Sequence, residues 1–157
     1  MPIVAHNPDT VLGAARRRGV LVLSSAGVGA AKTFDFDADV MPRLIDRDFV
    51  EVAAVYVVFT ASATVGTRQI ACDFLDTGAV LLARCAAAGT IIVSQSKSIL
   101  FGGGLAAAAG IAGLSLNEEP LPIGLVLGNG MQLKVWDVAG ISGTDQLDAY
   151  VHLRCMA

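Results

Sequence analysis

The amino-acid sequence predicts an all-β protein, an antiparallel β-sandwich or jelly roll of about eight strands with an extended N-terminal arm. Three observations support this fold class. From Phe34 onward, apolar and polar residues alternate with a period of two, and Val, Ile and aromatic residues are frequent. Short turn signals, Thr77-Gly78 and Gly128-Asn129-Gly130, separate consecutive apolar segments. No segment shows the strand–helix alternation that builds a parallel sheet, so a parallel sheet is not expected.

Length and composition indicate a single domain that hides part of its surface. The chain has 157 residues and a mass of 16.1 kDa, which is the usual size of one domain. Hydrophobic residues make up 54% and charged residues 16%, whereas ordinary soluble domains are about 25% charged. So few charges do not cover a whole domain surface. We therefore expect part of the surface to be buried in an assembly.

The first element is the N-terminal arm, predicted over residues 1–33. It contains two prolines and a run of small residues, and Val20–Leu23 is a candidate edge strand. Its basic cluster is Arg16, Arg17 and Arg18. This cluster is either a solvated segment or a docking element for an acidic partner. We keep the three arginines as candidate interface residues.

The second element is the jelly-roll domain, predicted over residues 34–157. Its strongest strand, Asp48–Thr60, is rich in Val and aromatic residues. The apolar segments on either side of each turn signal are predicted to form β-hairpins. The predicted strands are Phe34–Asp37, Asp48–Thr60, Arg68–Asp76, Ala79–Ala86, Thr90–Phe101, Pro122–Leu127, Met131–Val138 and Gln146–Cys155.

Charge and hydropathy exclude two classes of partner. The net charge is −3, from 14 acidic and 11 basic residues, so the chain lacks the basic footprint of a nucleic-acid-binding protein. Twenty uncharged residues, Ser98–Asn117, are nominally long enough to span a bilayer. However, they include three consecutive glycines and are rich in alanine, which contribute little transfer free energy and weaken a helix. We therefore expect neither a nucleic-acid partner nor a membrane partner.

No motif for catalysis or cofactor binding is complete. The segment Ala26–Thr33 lacks the glycine spacing of a phosphate-binding loop. A catalytic triad needs a histidine near a nucleophile and an orienting acid, and of the two histidines His6 lies in the predicted N-terminal arm. His152 lies in an alternating strand, where it is expected at a surface or an interface. We predict no enzymatic activity and no cofactor.

Acidic and cysteine residues also lack the spacing of a metal site. Asp35, Asp37 and Asp39 recur at every second position, which fits either a calcium site or, more simply, the solvated face of an edge strand. Asp73 and Asp76 are interpreted in the same way. The cysteines, Cys72, Cys85 and Cys155, lack paired spacing and are predicted to be buried free thiols.

The single tryptophan is the remaining candidate for a contact. Trp136 lies within the alternating segment Lys134-Val135-Trp136-Asp137. A tryptophan in this position is either a platform for a sugar ring or an anchor in the core or in an interface. We retain Trp136 as a candidate interface residue.

One stretch of the chain resembles a known group of proteins. The segment VYVVFTASATVGTRQI, residues 55–70, is followed by DFLDTG, residues 73–78. It is similar to small structural proteins of tailed bacteriophages, in which a long strand passes through such a turn into a hairpin. These resemble jelly-roll proteins of the phage head, including capsid cement (decoration) proteins. The resemblance covers about a third of the chain, and no functional residues are carried over from it.

The resemblance implies a viral structural protein on the capsid surface of the virion, synthesised in the host cytoplasm. A cement protein binds the lattice of the major capsid protein and stabilises the head. It would associate with itself as a homodimer or homotrimer, and its arm would reach across subunit boundaries. The alternative is a tail-associated or adhesin-like β-sandwich that binds a receptor or a carbohydrate.

Overall fold

The computed structural model describes residues 20–29, 31–43, 49–104 and 116–155, which form two β-sheets. Among these residues, one π-helical turn, Phe36–Val40, interrupts the strands. The strands are β1 Val20–Ser25, β2 Ala31–Asp35, β3 Phe49–Thr60, β4 Ile70–Leu75, β5 Leu81–Ala86, β6 Ser96–Gly103, β7 Leu116–Leu121, β8 Val126–Gly128, β9 Gln132–Asp137 and β10 Gln146–Cys155.

The strand order is that of a jelly roll. The larger sheet has the order β1-β10-β3-β6-β7, and β8 pairs with the beginning of β3. The smaller sheet has the order β2-β9-β4-β5. When β7 and β8 are left out, eight strands remain, which can be numbered one to eight along the chain. In this numbering the order is 1-8-3-6 in the larger sheet and 2-7-4-5 in the smaller sheet. This is the pairing of two interleaved Greek keys, and it confirms the predicted antiparallel sandwich or jelly roll.

Apolar side chains at alternate positions of the strands fill the space between the sheets. On β3, the side chains of Val55, Val57 and Phe59 are fully buried, and the intervening residues face outward. A β-bulge interrupts this alternation opposite His152–Leu153, where β3 changes its neighbour from β6 to β8. Each large apolar side chain that is buried contributes about 1.5–3 kcal/mol. The largest are Phe36, Phe59, Phe74 and Phe101.

The sandwich begins before the boundary that the sequence suggested at Phe34. β1 pairs with β10 along six residues, and Leu23 is buried in the core. β2, which starts at Ala31, pairs with β9. β1 and β2 therefore belong to the sandwich, because each of them is the edge strand of one sheet. The rest of the predicted arm, residues 1–19, lies outside the described residues.

The turn at Asn129-Gly130 joins the two sheets and does not form the predicted β-hairpin. Met131 N donates a hydrogen bond to Gly128 O, as expected for a tight turn. However, β8 pairs with β3 of the larger sheet, while β9 lies between β2 and β4 of the smaller sheet. The local turn was predictable from Asn-Gly, but the partners of its flanking strands depend on distant residues. The predicted Thr77-Gly78 hairpin between β4 and β5 is confirmed.

Two further elements differ from the sequence-based prediction. β7 was not predicted, and it pairs with β6 in parallel, the one parallel pair among the described strands. The acidic ladder does not extend an edge strand, because β2 ends at Asp35. The carboxylate of Asp35 instead accepts hydrogen bonds from the backbone of Asp37 and Ala38 and caps the π-helical turn. The hydrogen bond that Gln132 donates to Asp35 is the main cause that lowers the pKa of this carboxyl.

Candidate functional site

The structure describes one of the four candidate interface residues. Trp136 lies on β9, with its side chain on the outward side of the smaller sheet, and it is half-buried. Arg16, Arg17 and Arg18 lie outside the described residues. Their assignment as an interface stays a prediction.

Trp136 belongs to a polar cluster that connects three strands. Its indole N–H donates a hydrogen bond of 2.8 Å to Asp73 Oδ2 on β4. Arg84 on β5 forms a bidentate ion pair with the same carboxylate, at 2.6 and 2.7 Å. Lys134 Nζ lies 3.9 Å from the centre of the indole ring, and the Arg84 guanidinium lies 5.5 Å from it. Such cation–π contacts stabilise a ring that would otherwise be solvated.

This cluster corrects the interpretation of Asp73 as a solvated edge residue. The residue is only 3% exposed, because Arg84 and Trp136 cover it from two neighbouring strands. The hydrogen bonds that Arg84 donates to Asp73 also raise the pKa of Arg84. Since Lys134 lies over the indole ring, the ring is less open to stacking than a sugar platform requires. The arrangement fits an ordered, charged contact surface better.

A second polar cluster ties together the loops at one end of the sandwich. Arg68 and Asp145 are both fully buried and form a bidentate ion pair at 3.1 Å. Asp145 also accepts a hydrogen bond of 2.7 Å from Ser62 N, and its backbone carbonyl accepts one from Gly29 N. Arg68 pairs through its backbone with Ile91. The connections β1–β2, β3–β4, β5–β6 and β9–β10 are therefore joined at one ion pair.

The charged groups of this pair lie in an environment that disfavours charge. Burial raises the pKa of the Asp145 carboxyl, but hydrogen bonds from Arg68 and Ser62 outweigh it and lower the pKa overall. Arg68 donates a further bond of 2.9 Å to Gly66 O. We interpret the pair as structural, because its polar atoms bind each other and the backbone. The sequence analysis named neither residue as a candidate, because the two are 77 positions apart and form no local motif.

The edge of the smaller sheet is apolar and accessible. β5 pairs with β4 on one side, and its first residues project into solvent. Val80 is 60% exposed, Leu81 46% and Leu82 56%. Open edge strands are usually protected by charges or prolines, because they can pair with another chain. We call these three residues the β5 edge.

The outward side of the larger sheet has a centre of uncharged, partly exposed side chains with polar residues around it. Tyr56 and Tyr150 lie side by side on β3 and β10, with ring centres 6.0 Å apart. The Tyr56 hydroxyl donates a hydrogen bond of 3.1 Å to Ser98. Antiparallel sheets normally present polar side chains on a wet face. We call this surface the tyrosine face and define it by Val22, Tyr56, Val58, Leu100, Tyr150 and His152, which the strand register places on one side.

A small cleft lies beside the bulge in β3. It is lined by Glu51, Val52, Ala53, Gly103, Pro122, Ile123 and Arg154, and its volume is about 160 Å³. Small-molecule sites usually measure at least about 300 Å³. The Glu51–Arg154 ion pair, at 3.1 Å, lies at this cleft. We assign no ligand to it.

The cysteines are buried free thiols, as predicted. Cys72 and Cys85 are directly opposite each other on β4 and β5. Burial raises the pKa of both thiols, which disfavours the reactive thiolate. Within the described ranges, no group of three His, Cys, Asp or Glu side chains is arranged to bind a metal ion. In the same part of the chain, no helix is long and apolar enough to cross a membrane.

Comparison with known proteins yields distant likenesses among solved structures. No protein-family profile matches the chain, and no curated protein does either. A chain from the structure of the infectious bursal disease virus Gx strain matches with 9% identity and a TM-score of 0.34, over 89% of this chain and 41% of that chain. A chain of the T13 IBDV viral particle matches with 10% identity and a TM-score of 0.28, over 90% and 36%. This chain thus spans about two fifths of the viral chains it matches. At TM-scores below 0.5 these likenesses carry no argument, and the jelly-roll assignment rests on the strand order.

Proposed function

We propose that this chain is a structural protein of a viral particle, and in particular a capsid cement protein of a tailed bacteriophage. It would bind the lattice of the major capsid protein and stabilise the head by binding and not by catalysis. The strand order carries this proposal, because the jelly roll occurs in viral capsid domains as well as in lectins and cupins. The resemblance of the segment 55–78 to phage head proteins favours the viral member of this group.

The β5 edge supports a role in assembly. An extended segment of a neighbouring protein can add to an open edge strand through backbone hydrogen bonds, while side-chain pockets supply specificity. The exposed Val80, Leu81 and Leu82 would be buried by such a contact. On a symmetric lattice the same contact is repeated many times, so each one can be modest in free energy. In this proposal Trp136 and the arginine cluster Arg16–Arg18 add contacts with capsid loops.

The first experiment compares virions of the source virus with virions that lack this chain. Electron microscopy should show regular density on the wild-type head that is missing from the deletion mutant. The mutant heads should also lose resistance to heat. If the heads are unchanged and the tail tips are altered, the protein is a tail component instead. If the chain is found in no particle, the proposed function is wrong.

A binding experiment tests the arginine cluster with a matched control. Purified chain is added back to heads that lack it, and the number of bound copies per head is counted. Arg17→Glu should weaken binding at least about tenfold at low salt, because it places an acid against acidic capsid loops. Arg43→Glu reverses one charge at an exposed position that follows the π-helical turn, and it should leave binding unchanged. If both variants bind equally well, the arginine cluster is not part of the interface with the capsid.

A further inference from the structure

We propose that the tyrosine face is the surface through which two copies of this chain pair around a twofold axis. This inference rests on the proposed function in one respect: a protein of a repeating viral particle is expected to associate with copies of itself. It names the surface responsible, which neither the strand order nor the resemblance does. The composition and the dimensions of this face favour a second copy of the chain as its binding partner.

The composition of the face is that of an interface centre with a polar rim. Tyrosine is enriched at interface centres, and charged residues are depleted there. Tyr56 lies on the central strand of the five that are ordered β1-β10-β3-β6-β7. The register places Tyr150 on one side of it and Leu100 on the other. The register adds further neighbours on the same side: Ser24, Ala54 and Ser98 are uncharged, whereas Asp148 and Glu118 are acids at the margin.

The charges lie around this centre. Glu118 lies on the edge strand β7, and the Glu51–Arg154 ion pair lies towards one end of the sheet. Asp148 borders Val58, and its carboxylate accepts a hydrogen bond of 2.8 Å from Gly27 N. An uncharged centre can meet an identical centre without like-charge repulsion, which a twofold contact requires because the same residues face each other.

The size of the face also suits a second copy. Strands advance about 3.3 Å per residue and lie about 4.8 Å apart, so the whole outward side of the five strands, with the tyrosine face at its centre and the charged residues at its margin, has a flat area of about 700 Å². A standard stable interface buries about 800 Å² on each partner. A twofold axis near Tyr56 would place the two Tyr56 rings together and each beside the Tyr150 of the other copy. Aromatic pairs of this kind are frequent in such contacts.

The test measures the mass of the full chain in solution, without any viral particle. Sedimentation velocity and light scattering should give twice 16.1 kDa. Leu100→Arg places a charge within the tyrosine face, directly beside the central Tyr56, and should raise the dissociation constant at least about a hundredfold. Thr33→Arg places the same charge on the outward side of the smaller sheet, at an exposed position of β2, and it should remain a dimer. Circular dichroism checks that both variants are folded.

Several outcomes would overturn the proposal. A monomeric or trimeric wild-type chain excludes twofold pairing, and a dimer that persists in Leu100→Arg excludes this face. If Leu100→Arg does not fold, a photoreactive phenylalanine analogue at position 56 decides the question. Crosslinks between two copies should map to the tyrosine face, and crosslinks elsewhere or none would contradict it. Because no head is needed, the pairing can fail while head binding holds, and the reverse is equally possible.

Discussion

Gly130 and Gly140 both adopt left-handed backbone conformations, with φ of +74° and +61°, but their surroundings differ. A Cβ at Gly130 would overlap Thr77 Cγ2 and lie 3.1 Å from Thr77 Cβ, whereas a Cβ at Gly140 would meet no atom within 4 Å. Gly130 therefore allows the turn before β9 to pack against the turn between β4 and β5. At Gly140 only the backbone conformation favours glycine.

This contrast predicts different costs for the same substitution. Gly140→Ala should lower the free energy of unfolding by about 1–2 kcal/mol, the strain of a left-handed alanine. Gly130→Ala should cost a further ~1–3 kcal/mol, because it also crowds Thr77. Urea unfolding of the two variants measures both values. Thr77→Ser removes Cγ2 and should recover part of the extra loss in Gly130→Ala. Equal costs in the two glycine variants would show that Thr77 moves aside freely.

Asp145 and Glu51 are two carboxylates in ion pairs of very different burial. Asp145→Asn should lower the free energy of unfolding by about 3–5 kcal/mol, because it leaves the Arg68 charge buried without its counter-ion. Glu51→Gln makes the same chemical change in the pair with Arg154, where the Glu51 side chain is 12% exposed and the Arg154 side chain is 57% exposed. It should cost less than about 1 kcal/mol. Urea unfolding near neutral pH compares the two variants directly.

The same carboxyl predicts a dependence on pH. The pKa of Asp145 in the folded state lies below the ordinary value of 3.8, so the folded state binds this proton less readily than the unfolded state. The contribution of the ion pair is therefore complete above that value and is lost as the pH falls from 3.8 towards the folded pKa. The difference in stability between the wild type and Asp145→Asn should shrink over this range. A difference that stays constant down to about pH 2 would contradict the assignment.

At the scale of elements, the turn and strand signals were predictable and the pairing was not. The alternation from Asp48 to Thr60 predicted β3 to within one residue of its observed start, and Thr77-Gly78 predicted the β4–β5 turn. The Asn129-Gly130 signal also predicted a turn correctly. However, β8 pairs with β3 and β9 pairs with β2 and β4, so the turn joins two sheets. A turn signal depends on two residues, whereas the choice of partner depends on the whole packed core.

The three acids at every second position also show that a local pattern does not determine the structure, because here a strand was predicted and a turn is found. Asp35, Asp37 and Asp39 have the spacing of one face of a strand, yet the strand ends at the first of them. Asp39 accepts a hydrogen bond of 2.8 Å from the Asp35 backbone, and Asp37 accepts one of 3.0 Å from Gly130 N. The side chains of short acids compete for backbone donors in this way and favour turns. Period two alone did not distinguish the two structures.

For the whole molecule, the position of the domain boundary determines which truncation folds. A chain that starts at Val20 keeps both edge strands and should retain a midpoint of thermal unfolding close to that of the full chain. A chain that starts at Phe34 loses β1 and most of β2, which exposes β10 and removes the buried Leu23. It should unfold at a lower temperature or aggregate. Circular dichroism during heating measures the unfolding midpoint of both chains. Equal midpoints would show that the domain begins at Phe34 and that β1 and most of β2 are not needed for its stability.

The sequence by itself determined the all-β class, the main strands, the tight turns and the apolar excess. These depend on the alternation of neighbouring residues, which is read along the chain. Only the tertiary structure decided the strand order, the burial of Asp73 by Arg84 and Trp136, and the ion pair at the loop end. Arg68 and Asp145 are separated by 77 positions, and no local pattern marks them as partners. Two charges become a buried pair only when the core brings their loops together and excludes water from both.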